Sequence, residues 1–141
     1  MRAGQDVLDS PSDGKIVRQF VADAVELLLP RRQTAPLVFS SPHSGSDYKD
    51  DFLDASRLDA FDLRRSEDSF VEELFAQAPC HGAPLLHALF PRAYIDPNRE
   101  PYELDPNMFH DLLPAFVKTR SDRVRAGFGT IARVVANGAE I

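Results

Sequence analysis

The sequence predicts an α/β fold with a mixed or parallel sheet, and three observations carry that prediction. Residues 37–41 form a short apolar run bounded by prolines, the signature of a buried strand. Phe70, Val71, Leu74, Phe75 and Ala78 recur at helical spacing behind Ser66, Glu67 and Asp68. Residues 84–90 are again apolar and strand-like. Strands alternating with one strong helix favour this class.

Taken in order, residues 1–15 are polar, rich in Asp, Ser and Gly, and read as a mobile lead-in. Residues 16–29 carry Val17, Phe20, Val21, Val25, Leu27, Leu28 and Leu29, a pattern open to a helix or to one or two strands. Pro30 ends that run, and residues 31–35 read as a loop before the strand at 37–41. Residues 46–65 are turn-rich, with a short helical patch over 56–61 and Ser56 as its expected N-cap. The main helix is expected from Ser66 as N-cap, with Glu67 and Asp68 in its first turn, to Pro79. Residues 93–95 suggest another short strand, and 96–115, with four prolines, a long irregular stretch of the kind that carries function. A helix is expected after Ser121, and residues 131–135 fit a strand or a helix. Asp-Pro-Asn occurs at 96–98 and 105–107, which is turn chemistry and not a repeat architecture.

The chain's 141 residues suffice for one domain with a hydrophobic core. A net charge of −6 argues against nucleic acid as a partner, because no basic face offsets phosphate repulsion. No stretch of about 18 apolar residues exists to span a membrane. Cys80 is the single cysteine, so no internal disulfide is possible, which fits a reducing cytoplasm. Between Pro79 and His81, it reads better as a small buried or half-buried loop residue than as a reactive thiol. There is no glycine-rich phosphate loop, Cys-x-x-Cys pair or Gly-x-Ser-x-Gly elbow.

What chemistry the residues offer lies in three segments. His43, in Pro-His-Ser-Gly directly after a strand, is the best nitrogen donor for a metal, the alternative being a turn histidine bonded to backbone. Glu67 and Asp68 are candidate carboxylate ligands or, equally simply, complements to a helix dipole. Asn98 and Arg99 could grip a substrate carboxylate, with the alternative that Arg99 pairs with Glu100 or Glu103. His87, in an apolar run, reads as a satisfied core histidine, while His81 and His110 lack context.

Ordered along the chain, Ser-Pro-His-Ser-Gly, Arg65-Ser66-Glu67-Asp68-Ser69-Phe70-Val71, Gly82-Ala83-Pro84-Leu85-Leu86, residues 90–101 and Glu103-Leu104-Asp105-Pro106 resemble the N-formylglutamate amidohydrolase family from about Thr34 to Ile141. The resemblance implies a three-layer α/β/α, phosphorylase/hydrolase-like (zinc exopeptidase-like) fold with a mixed sheet. It implies zinc held by His43 and by Asp68, or else Glu67, with a small-molecule carboxylate substrate bound by Asn98 and Arg99 and helped by Arg92. It implies hydrolysis of the amide of an N-formyl or N-acyl amino acid such as N-formylglutamate. Pro97 departs from the aliphatic residue usual within Asp-x-Asn-Arg, and proline fixes its own φ and removes an N–H. Members of the family run well beyond this length, so residues 16–141 are expected to be the N-terminal part of one amidohydrolase domain, with a further histidine and the general base beyond Ile141. The alternatives are a non-catalytic carboxylate-binding domain and an inactive fragment.

Overall fold

The computed structural model describes residues 7–8 and 16–141. They form a mixed α/β chain that divides into two compact units: the described residues up to Gly45 with Asp68–Phe90, and Ser46–Glu67 with Pro91–Ile141. The expected lead-in over 1–15 lies outside the described residues, except Val7–Leu8.

The first unit is built on a five-stranded mixed sheet. Its strands are β1 (Val7–Leu8), β2 (Ile16–Val21), β3 (Val25–Leu29), β4 (Phe39–Ser41) and β5 (Leu85–Ala88), in spatial order β1-β2-β3-β5-β4. All neighbours are antiparallel except β4, which runs parallel to β5 with Ser41 opposite His87. Of the readings open for residues 16–29, two strands is the one realised. Ala22 and Asp23 both hold positive φ, 51° and 53°, and Ala24 N–H donates to Val21 O at 3.0 Å. Two positive φ angles match the right-handed twist of a hairpin. Ile16, Leu28, Ala78 and Leu85 form the core, with Phe39 packed on it.

Inside that sheet lies a row of polar side chains. His87 Nε2 stands 2.7 Å from Glu26 Oε2, and Arg18 Nη1 is 3.1 Å from Glu26 Oε1. His87 and Glu26 are both buried, so the expected core histidine is borne out and its partner is a carboxylate.

Several expectations are corrected. The strand at 37–41 narrows to β4, with Leu37 and Val38 exposed. The long helix from Ser66 does not form. Arg64–Ser66 is a 3-10 turn, Glu67 is extended, and α-helix resumes only over Val71–Leu74 after Phe70 at φ 65°. Glu67 and Asp68 therefore precede the helix and do not sit in its first turn. Phe70, Phe75 and Leu74 are 59%, 43% and 78% exposed, so the stripe lacks the burial that stabilises a long helix. Cys80 is exposed in the 3-10 turn Ala78–His81, not buried or half-buried.

The second unit is mostly irregular. Numbering helices in chain order, α1 is Asp50–Ala55, α2 is Ala60–Leu63, α3 is the Val71–Leu74 turn of the first unit and α4 is Asp122–Arg125. Ser56 closes α1 and does not start a helix; Asp59 caps α2, accepting from Asp62 N–H. Residues 93–95 are a turn and not a strand, because Tyr94 N–H and Ile95 N–H both return to Pro91 O. The helix expected after Ser121 forms, with Ser121 accepting from Val124 N–H. Residues 131–135 are neither helix nor strand and make only isolated bridges, Phe128 to Ala132 and Val134 to Glu140. Leu63, Ala93 and Val135 form the core, ringed by Tyr48, Phe52, Leu53, Leu58, Ala139 and Ile141. No helix among the described residues is long and apolar enough to cross a membrane.

Candidate functional site

In the first unit, β4 delivers the chain into Pro42 and His43. The imidazole is buried, 7% exposed, in a turn closed by a Ser41 Oγ to Ser44 Oγ hydrogen bond of 2.8 Å. Gly45 follows because nothing larger fits. A Cβ there would lie 2.2 Å from Phe90 O and 2.7 Å from Leu89 O. Asp68 N–H donates to His43 O at 3.1 Å, and Asp68 Oδ2 stands 3.3 Å from His43 Nδ1. The two candidate ligands of this unit are thus tied together at both backbone and side chain.

That pair can be tested against a metal. Two donors on one tetrahedral zinc, with bonds of about 2.0–2.1 Å, stand about 3.3–3.4 Å apart. The observed 3.3 Å fits. Among the described residues no group of three His, Cys, Asp or Glu could hold an ion, so the donor set seen here is two.

In the second unit, Glu67 has a buried side chain whose Oε2 lies 3.1 Å from Arg64 Nε. Burial pushes the neighbouring Tyr48 phenol well above its ordinary value, and the Glu67 carboxylate adds to the shift.

The arginine segment holds a residue that sequence reading passed over. Asp96 is 4% exposed. Its Oδ2 lies 2.9 Å from Arg92 Nη2 and 3.2 Å from Arg99 Nη2, and its Oδ1 accepts from Asn98 N–H at 2.9 Å. The two arginines expected to meet a substrate carboxylate converge on a carboxylate of the chain itself, and not on Glu100 or Glu103. Arg99 also donates from Nε to Phe128 O and from Nη1 to Asn98 O, which engages three of its five N–H groups. The Asn98 side chain is at the exposed tip of the turn. The spacing Arg92, Asp96, Arg99 was the available signal, since residues three and four apart in a turn readily meet.

The second Asp-Pro-Asn repeats this geometry. Asp105 Oδ1 accepts from Asn107 N–H at 3.0 Å, and Arg133 Nε reaches Asp105 Oδ2 at 2.9 Å. Burial pushes the Asp105 carboxyl up, but hydrogen bonds from Asn107 N–H, Arg133 and the Asn107 amide, with the Arg133 charge, outweigh it and hold the carboxyl below its ordinary 3.8. A lowered folded value means that Asp105 contributes stability fully above the unfolded value, and loses it as pH falls through the folded one. We therefore expect urea-unfolding stability measured from about pH 6 to about pH 2 to fall less steeply at the acid end in Asp105→Asn than in the wild type. An identical slope in the two proteins would remove this role.

Similarity to known proteins agrees with the ordered motifs. Residues 35–141 match the family model of N-formylglutamate amidohydrolase. The crystal structure of N-formylglutamate amidohydrolase from Ralstonia eutropha JMP134 is similar, with 36% sequence identity and a TM-score of 0.75 over 84% of this chain and 41% of that one. No curated protein matches significantly. The chain thus spans well under half the length of that enzyme. A match over most of its residues, joined to a like fold, places this chain in the N-formylglutamate amidohydrolase family.

Proposed function

We propose that this chain contributes to zinc-dependent hydrolysis of the amide bond of an N-formyl or N-acyl amino acid such as N-formylglutamate. The observation that carries the reading is the 3.3 Å separation of His43 Nδ1 and Asp68 Oδ2 in a family named for this hydrolysis. His43 and Asp68 are the donors that would hold the metal, and Glu67 is the second acid assigned to that role. Zinc, when bound, supplies a water of lowered pKa and a polarised amide carbonyl. The substrate carboxylate is assigned to Asn98 and to the Arg99 N–H groups other than those that meet Asp96, Phe128 and Asn98. Arg92 contributes by sharing the Asp96 charge and so holding the Arg99 fork in place. A third ligand and the general base are assigned to the part of the family's length that this chain does not span. The same reading carries a three-layer α/β/α architecture for the whole enzyme and a cytoplasmic setting.

Formate release from N-formyl-L-glutamate, measured with zinc and after chelation on a protein that carries these residues and spans the family's length, tests this. Chelator-sensitive turnover that falls by at least ~100-fold in His43→Ala is expected, since even outer-shell partners of a metal are worth ~10–100-fold. Carboxylate binding without turnover and indifferent to chelators would instead favour a non-catalytic binding domain.

A further inference from the structure

We propose that Ser41 and Ser44 are positioning residues for His43, a role that rests on the zinc reading above. A ligating imidazole works only if its ring is aimed, and groups that never touch the metal usually do the aiming. Here the aim is set by the turn. Ser41 ends β4 in register with His87, which is itself bonded to Glu26, so its backbone is fixed by the sheet. Ser44 lies three residues on, past Pro42 and His43. The Ser41–Ser44 hydrogen bond of 2.8 Å joins the two across His43, with the residues only 3% and 4% exposed. Pro42 fixes one φ inside the bracket. Gly45 sets its exit, at a place where any Cβ would collide with the Leu89 and Phe90 carbonyls. His43 O, accepting from Asp68 N–H, ties the second donor to the same turn. The hydroxyl pair is the side-chain link that closes this frame, and removing either member opens the loop that carries Nδ1.

The test is a Zn2+ titration of the full chain followed through the His43 ring 15N shifts, for the wild type, Ser41→Ala, Ser44→Ala and the double variant, each checked for folding by circular dichroism. Ser44→Cys, close in volume with a weaker donor, serves if an alanine variant does not fold. Ser40→Ala, an exposed neighbour on β4, is the control expected to match the wild type. The expected result is a ~10–100-fold weaker Zn2+ affinity in each single variant, and a double variant no weaker than the singles because both remove one interaction. A purely structural hydrogen bond would lower the melting temperature and leave affinity and ring shifts alone. Folded serine variants that take Zn2+ with wild-type affinity and wild-type ring shifts would overturn the inference and leave the zinc reading standing. A wild-type chain whose His43 shifts do not respond to Zn2+ would overturn both.

Discussion

Asp96→Ala is expected to destabilise the chain by about 3–5 kcal/mol, the usual cost of removing one member of a buried ion pair. The magnitude follows from what the substitution leaves behind. Arg92 and Arg99 have side chains only 22% and 14% exposed, and both point a nitrogen at the same carboxylate oxygen. Without Asp96, two poorly hydrated guanidinium groups lose the carboxylate they share, and Asn98 N–H loses its acceptor. Urea denaturation gives the comparison directly. Asp111→Ala, at an exposed acid, should stay within about 0.5 kcal/mol of the wild type. A loss at Asp96 no larger than at Asp111 would mean that the carboxylate does not organise the arginines.

Gly45→Ala is the second large effect, at about 3 kcal/mol, the upper end for overpacking a tight site. Its new Cβ would meet backbone, 2.2 Å from Phe90 O and 2.6 Å from the Leu89 carbonyl carbon, and backbone cannot swing aside as a flexible side chain would. Either β5's exit or the His43 turn must move. The substitution should therefore weaken zinc binding as well as stability, whereas Gly138→Ala meets nothing within 4 Å and pays only for its positive φ, about 1–2 kcal/mol. Urea denaturation and zinc titration of both variants separate the cases. Equal behaviour of Gly45→Ala and Gly138→Ala would show that the turn is not wedged against β5.

What the sequence made legible follows from how local each feature is. The Ser121 cap and the Asp-Pro-Asn turns are set by residues within three positions of each other, and they form as expected. The β2–β3 hairpin was left open because its turn uses Ala22 and Asp23 at positive φ, where glycine or asparagine would have announced it. The helix expected from Ser66 failed for a non-local reason. Asp68 N–H is taken by His43 O, 25 residues earlier, and the apolar stripe behind it is left exposed. At the candidate site, His43 could be picked out by its place after a strand. The choice between Glu67 and Asp68 could not be made from sequence, because both were expected on a helix that does not form. Asp96 was hidden in the open, read as part of a turn when its burial makes it the centre of the arginine cluster.

The functional proposal requires that His43 and Asp68 share one zinc ion. Zinc-edge anomalous diffraction from crystals of the chain grown with Zn2+ measures this most directly. We expect a peak about 2.0–2.2 Å from both His43 Nδ1 and an Asp68 carboxylate oxygen. A peak bound elsewhere, or none at this pair, would contradict it.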